Sequence, residues 1–252
     1  AAWFSNKEKG RLAAFLLLIG LVLFLVIAEP DMGTAVVILG EALAVYFLSG
    51  GRILHFVILG PLFFLAGLVF VKISPYRTKR LDAFLNINES LESSSYHVKQ
   101  ILIALGSGGL MGVGLGNSIQ KYAYLPESTT DSIFAIIAEE LGFFGGTVII
   151  LLYIFIIWRC FYVAMHARDN FGKLLGGGIA TFLAIQTIIN LAAQTALIPL
   201  TGIPLPFISY GGSALIVDLC SIGILLNISS QSNEQARLIS HKSTRIKGRK
   251  QT

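Results

Sequence analysis

The chain has 252 residues, of which 54% are hydrophobic and 13% charged, with a formal net charge of +5. Soluble domains carry about 25% charged residues, so this composition excludes an ordinary water-soluble globule. The apolar residues gather in blocks near the roughly 20 residues that a bilayer requires, and lipid, rather than a closed core, must cover much of the surface.

Lys7, Lys9 and Arg11 precede the first apolar block, 12–28. That block is longer than the h-region of about 7–15 residues in a signal peptide, and no A-x-A site follows, so it predicts a transmembrane helix. The chain starts at Ala1, and its N-terminus is read as incomplete. Blocks 33–49 and 53–72 come next, set off by Pro30, by Gly50-Gly51 and by Pro75, residues that mark helix ends and turns. A long segment, 73–132, follows. Loops beyond about 15 residues without structure of their own are usually functional or disordered, and this one is not of low complexity. YHVKQILIAL (96–105) has a helical apolar pattern and predicts an amphipathic or re-entrant helix at the membrane surface. GSGGLMGVGLG (106–116) then predicts a close backbone turn, with glycines that could approach a headgroup. Blocks 133–158, 174–198 and 211–228 complete a set of six, with Pro199, Pro204 and Pro206 between the last two. The fold class expected is all-α: a polytopic transmembrane bundle of six spans forming one membrane domain, 1–252. It has a long extracytoplasmic loop, 73–132, and a basic cytoplasmic tail, 229–252.

Charge gives the orientation. Lys7, Lys9 and Arg11, then Arg52, then Arg159, Arg168 and Lys173, then six basic residues of the tail all fall on one side of the six-span layout. By the positive-inside rule that side is cytoplasmic. Both ends of the chain are then cytoplasmic, and 73–132 and 199–210 face outward together. The basic tail is read as a topology signal and as contact with anionic membrane lipid, not with nucleic acid.

Acidic groups at membrane depth are costly, so each is a candidate for function: Glu29, Asp31, Glu41, Asp131, Glu139, Glu140 and Asp218. Asp131, in PESTTDSIF, stands at the outer end of the fourth block. It could be a helix N-cap, a favoured place for Asp, or a catalytic carboxylate, and the residues alone leave both open. Glu139 and Glu140 lie about 12 Å further along the same helix on other faces, so they are not a carboxylate pair with Asp131 and are read as interhelical hydrogen-bonding or ion-pairing groups. Asp31 follows Pro30 and can cap the next helix. Glu41 and Asp218 are expected to meet polar groups of neighbouring helices. Arg77, Lys79, Arg80, Lys99 and Lys121 of the long loop could clamp phosphate or merely meet headgroups. Cys160 and Cys220 lack a CxxC partner, the four histidines lack ligand spacing, and GLGN (114–117) lacks the strand–helix context of a dinucleotide fingerprint.

Four stretches together resemble one family. EPDMGTA (29–35), YHVKQILIALGSGGLMGVGLGNSIQK (96–121), YLPESTTDSIFAIIAEELGFFGG (124–146) and TGIPLPFISYGGSALI (201–216) are similar to the motifs of the SEDS proteins of cell shape and division (RodA, FtsW and SpoVE types). The resemblance covers 29–228, and NSIQKYAYLPE and RLDAFLNIN are most like the division (FtsW) type. Departures are Glu29 in place of Gln, Thr129 in place of His, Ser132 in place of Phe, and Asp218 in place of an uncharged residue.

The resemblance implies ten transmembrane helices, about four of them upstream of Ala1, with the active site on the outer face of the bacterial inner membrane. It implies a peptidoglycan glycan-strand polymerase that joins the sugars of lipid II and releases undecaprenyl pyrophosphate. The essential family aspartate matches Asp131, expected as general base. Arg77, Arg80, Lys99, Gln100, Lys121, Glu127, Thr130, Ser209 and Tyr210 are the expected substrate-binding residues, with Phe207 and Tyr210 walling a groove. The pyrophosphate charge calls for basic side chains or a divalent cation, and no other cofactor is implied. A class B penicillin-binding protein is the implied partner. The competing function is a lipid II flippase, which should show inverted repeats and broken helices; the sequence shows neither.

Overall fold

The computed structural model of the chain describes residues 11–29, 31–73, 75–85, 93–122 and 129–248. Among these residues there are eight α-helices and no strand. In chain order they are α1 Arg11–Ala28, α2 Met32–Leu48, α3 Ile53–Ile73, α4 Pro75–Leu85, α5 Ser93–Ser107, α6 Ile133–Met165, α7 Asn170–Gln194 and α8 Gly212–Gly248. A single 3-10 turn, Gln120–Tyr122, follows α5. Three helical stretches, Ile133–Met165, Asn170–Gln194 and Gly212–Ser232, are long and apolar enough to cross a membrane. Phe15–Ala28, Met32–Leu48 and Ile53–Leu62 are shorter apolar helices. Among the described residues the chain is all-helical, with the helix lengths and apolar composition of an integral membrane protein.

The helices start and stop where local chemistry dictates. Asp31 caps α2 by accepting hydrogen bonds from the Thr34 amide (3.0 Å) and hydroxyl (2.6 Å). Asp169 caps α7 by accepting from the Gly172 amide (3.1 Å). Block five was expected to run to 198, but α7 ends at Gln194. Ala196 there turns left-handed, with φ 53°, and Pro199 cannot continue a helix. Pro75 opens α4, a position where its missing N–H costs nothing. The long loop is therefore more ordered than its sequence announces: it holds α4 as well as α5.

α7 is the central element. It packs on α2, α6 and α8, and small residues let the backbones close up. A Cβ at Gly176 would lie 3.2 Å from the Cα of Ala164 on α6, which matches the preference for small residues at membrane helix contacts. Cys160, Ile179, Ala180, Leu183 and Leu225 form the core shared by α6, α7 and α8. A second core, Ile101, Ala104, Ala135 and Ile136, joins α5 to the first turn of α6. A third, Phe134, Tyr153 and Leu205, seats the segment 199–211 between them.

α6 is not continuous. Gly142 has φ 70° and ψ −168° in the middle of it, and the glycine-rich segment 108–114 docks into the break. Amides of Val113 and Gly114 donate to the carbonyls of Glu139 and Glu140 (3.0 Å each), and amides of Phe143 and Phe144 donate to Gly109 (2.9 Å) and Leu110 (3.3 Å). Glycine is required at the contact: a Cβ on Gly112 would fall 2.1 Å from the Glu140 carbonyl oxygen. Gly108 and Gly112 thus approach another helix's backbone.

Candidate functional site

Asp131 lies one residue before Ser132, the N-cap of α6. Of the two readings left open by the sequence, the cap position belongs to its neighbour. Ser132 does not cap with its hydroxyl; that hydroxyl shares a hydrogen bond of 2.8 Å with His97 Nε2 of α5. A buried amide of the first turn is bonded from another helix: the Ala135 N–H donates to Gln194 Oε1 of α7 at 2.7 Å. Gln194 Nε2 in turn donates to Asn190 Oδ1 (2.6 Å). Asn190 Nδ2 donates to the main-chain oxygens of Asp131 (2.9 Å) and Ile203 (2.8 Å).

The segment 199–211 closes the other side. Ser209 Oγ donates to the Thr130 carbonyl and accepts from the Leu205 amide (2.8 Å). The Tyr210 amide donates to the Thr129 carbonyl (2.8 Å). Gly202 faces the aspartate, since a Cβ there would be 3.9 Å from Asp131 Oδ2. Thr130 Oγ1 donates to Asp131 Oδ1 at 3.2 Å. The start of α2 abuts the same segment, for a Cβ on Gly33 would lie 2.7 Å from the Thr201 carbonyl oxygen. Arg80 of α4 donates to the Leu200 carbonyl (3.3 Å), and Arg77 donates to the Ile27 carbonyl at the end of α1 (3.2 Å). Stretches 31–34 and 77–80 therefore meet the segment 200–210, which in turn meets 129–132.

The residues singled out in the sequence divide into two groups. Asp31, Arg77, Arg80, Thr130, Asp131, Ser209 and Tyr210 belong to this meeting point. Ser209 is engaged as a staple between two loops, whereas the Tyr210 side chain is 79% exposed and projects from it. Lys121, Glu139 and Glu140 form a different cluster, on the α6 break. Lys121 Nζ pairs with Glu140 Oε1 at 2.8 Å and donates to the Gly116 carbonyl (2.6 Å). Glu139, 1% exposed, accepts from the hydroxyls of Ser118 and Ser107 and from the Ile119 amide. Lys99 is exposed and Gln100 half-buried on α5. Glu127 lies outside the described residues. Asp218 is buried and accepts from the Phe207 amide (3.2 Å).

His97, Ser132, Asn190 and Gln194 were missed by the sequence reading. A signal for the last two existed: amides four residues apart inside the apolar run IQTIINLAAQ face one side of a helix and need partners at membrane depth. His97 and Ser132 gave no such signal, because their pairing is tertiary.

The family profile described as cell cycle protein, of the FtsW, RodA and SpoVE proteins, matches residues 1–234. The chain belongs to this family. Stage V sporulation protein E of Bacillus subtilis is 46% identical to this SEDS chain over 239 residues, covering 92% of the chain and 65% of that protein. The probable peptidoglycan glycosyltransferase FtsW of Coxiella burnetii is 42% identical over 235 residues, covering 91% and 63%. Among solved structures, a chain of a peptidoglycan synthase complex that coordinates polymerization and crosslinking superposes with a TM-score of 0.71 at 26% identity, covering 91% of the SEDS chain and 65% of its own. The rod shape determining protein RodA of Thermus thermophilus superposes with a TM-score of 0.60 at 28% identity, covering 90% and 59%. The chain thus spans less than two thirds of the length of these relatives.

Proposed function

We propose that the protein containing this chain is a peptidoglycan glycan-strand polymerase that uses lipid II, with Asp131 as general base. The observation that carries the reading is the packing of the segment 200–210, itself met by α2 and α4, against Asp131 at the end of a membrane bundle. Relatives of the chain bear the name peptidoglycan glycosyltransferase, which supports the same chemistry. From Asn170 to Asn190, α7 rises about 30 Å at 1.5 Å per residue, about the thickness of the hydrocarbon core. Asn190 holds the Asp131 peptide, so the carboxylate stands at one face of the bilayer. A lipid-linked sugar sits at that depth.

In the reaction, the acceptor sugar hydroxyl loses its proton to the Asp131 carboxylate as its oxygen attacks the donor's anomeric carbon. The bond from that carbon to the pyrophosphate oxygen breaks, and its electron pair leaves with undecaprenyl pyrophosphate. A positioned base of this kind contributes about 10²–10⁴-fold. Arg80, which bonds the Leu200 carbonyl of the segment that packs on Asp131, and Arg77 of the same helix are the cations assigned to the developing charge. Lys121 is committed to Glu140 and belongs to the scaffold in this scheme. Tyr210 is placed to stack on a sugar ring. Among the described residues, no three of His, Cys, Asp and Glu come together in a way that could hold a metal ion, and no step here is routed through a divalent cation.

The remaining features follow the same reading. The chain supplies six spans of a ten-span protein in the inner membrane, with 73–132 and 199–210 outside and 229–252 inside. The division type and a class B penicillin-binding protein as partner fit the names of the relatives and the synthase complex among the structural neighbours.

Fluorescent lipid II and the purified whole protein, with its partner, test the assignment. Asp131→Asn keeps size and local hydrogen bonding and is expected to lower strand synthesis by about 10²-fold or more. Strand synthesis at the wild-type rate in that variant would remove Asp131 from the mechanism. Translocated lipid without strands would favour the flippase reading.

A further inference from the structure

We infer that Asn190 and Gln194 are a positioning pair: they fix the Asp131 peptide against the segment 201–205 and act on the reaction through Asp131 without touching substrate. The inference rests on Asp131 being the base proposed above.

Both carboxamides are almost wholly buried, at 2% and 1% exposure, one helical turn apart on α7. A buried amide is costly unless its donors and acceptors are matched, and here one chain of bonds accounts for them. Ala135 N–H donates to Gln194 Oε1, Gln194 Nε2 donates to Asn190 Oδ1, and Asn190 Nδ2 donates to both the Asp131 and the Ile203 carbonyls. The direction of the chain is forced. Reversing Asn190 would set its oxygen against two carbonyl oxygens and leave the Gln194 amine facing an amine.

The consequence is a segment held at three successive residues by three different elements, twice through the main chain and once through a side chain. The Thr130 carbonyl is held by Ser209 of the segment after α7, the Asp131 carbonyl by Asn190 of α7, and the Ser132 side chain by His97 of α5. The Asp131 carboxylate is left facing Gly202. Ordinary interhelical glue would join two helices. This pair instead joins the α6 N-terminus, the residue carrying the carboxylate, and the opposing loop.

Asn190→Asp tests the pair, since it keeps the volume and removes both donors. In the whole protein in lipid nanodiscs, amide exchange of 129–135 and 201–205 is expected to quicken by about 10-fold or more, with 175–186 of α7 unchanged, because local opening reports local stability. The turnover number is expected to fall by about 10- to 100-fold, the usual cost of misplacing a group by an ångström, while KM for lipid II moves by less than about 3-fold. In an Asp131→Asn background, the same change should add less than about 2-fold, as expected of residues acting as a unit. Gln194→Met, close in size and without donors, gives the same pattern with a smaller loss and serves if Asn190→Asp does not accumulate. Unchanged exchange in 129–135 overturns the inference, as does full turnover, or a rise in KM at unchanged turnover. If the wild type makes no strands, the polymerase reading fails, and the exchange measurement alone decides the clamp.

Discussion

Phe207 has φ 64°, a region that costs a residue with a side chain about 1–2 kcal/mol. Its amide donates to buried Asp218, and the Tyr153 hydroxyl donates to the neighbouring Pro206 carbonyl. The strained residue is thus held by two long-range bonds, and they hold the whole turn that carries Ser209 and Tyr210. Asp218→Ala should leave the Phe207 amide without its acceptor and cost about 1–3 kcal/mol; Asp218→Asn keeps an acceptor and should recover most of that. Melting temperatures in detergent compare the two variants, and equal values would show that the Phe207 bond contributes nothing. The sequence marked Asp218 as an acid needing a polar partner but could not supply it, because the partner is a backbone amide across a turn. Asp31 was legible for the opposite reason: cap chemistry is local, and Thr34 stands three residues on. Asp131 was singled out by its place at a block end, while the neighbours that hold it come from α5, α7 and the segment after α7.

At the level of elements, the helices were legible and the break in α6 was not. Apolar blocks predict membrane helices because length and composition suffice, and five of the six blocks start within one residue of an observed helix, the fifth block starting four residues late. GFFGG inside a block reads as tolerated glycines. Only the docking of 108–114 shows that Glu139 and Glu140 carbonyls accept from outside the helix. That docking makes a sharp contrast among glycines with left-handed φ. Gly112→Ala puts a Cβ 2.1 Å from the Glu140 oxygen, whereas Gly116, with φ 83°, has nothing within 4 Å of its Cβ position. Gly112→Ala should expel the segment from the break and forfeit its four inter-segment backbone bonds, at least about 4 kcal/mol at about 1 kcal/mol each. Gly116→Ala should cost only the backbone strain, about 1–2 kcal/mol. Yield and thermal stability of the two variants measure the difference, and similar losses would mean that the docking is not a rigid part of the fold.

For the molecule as a whole, the sequence carried the membrane class, the helix order and the family, since these depend on hydropathy and on long motifs. It did not carry the meeting of α2, α4, α6 and the segment after α7, which depends on close approaches such as Gly33 to Thr201. What the two sources share is a polarity along the bundle. Asp131 and the exposed Tyr210 ring stand at one end. At the other stand Arg159, whose guanidinium lies 5.2 Å from the centre of the Tyr162 ring, and exposed His166, Arg168 and Lys173. Aromatic and basic residues favour a membrane border, and basic residues the cytoplasmic one. Tyr210→Cys and His166→Cys, each in a background with Cys220 replaced by Ser, turn this into a sidedness test in intact cells. A membrane-impermeant maleimide should label position 210 directly and position 166 only after the inner membrane is opened. The reverse pattern would put the Asp131 carboxylate in the cytoplasm, on the wrong side for strand synthesis outside the cell, and would leave the fold standing while removing the proposed reaction from it.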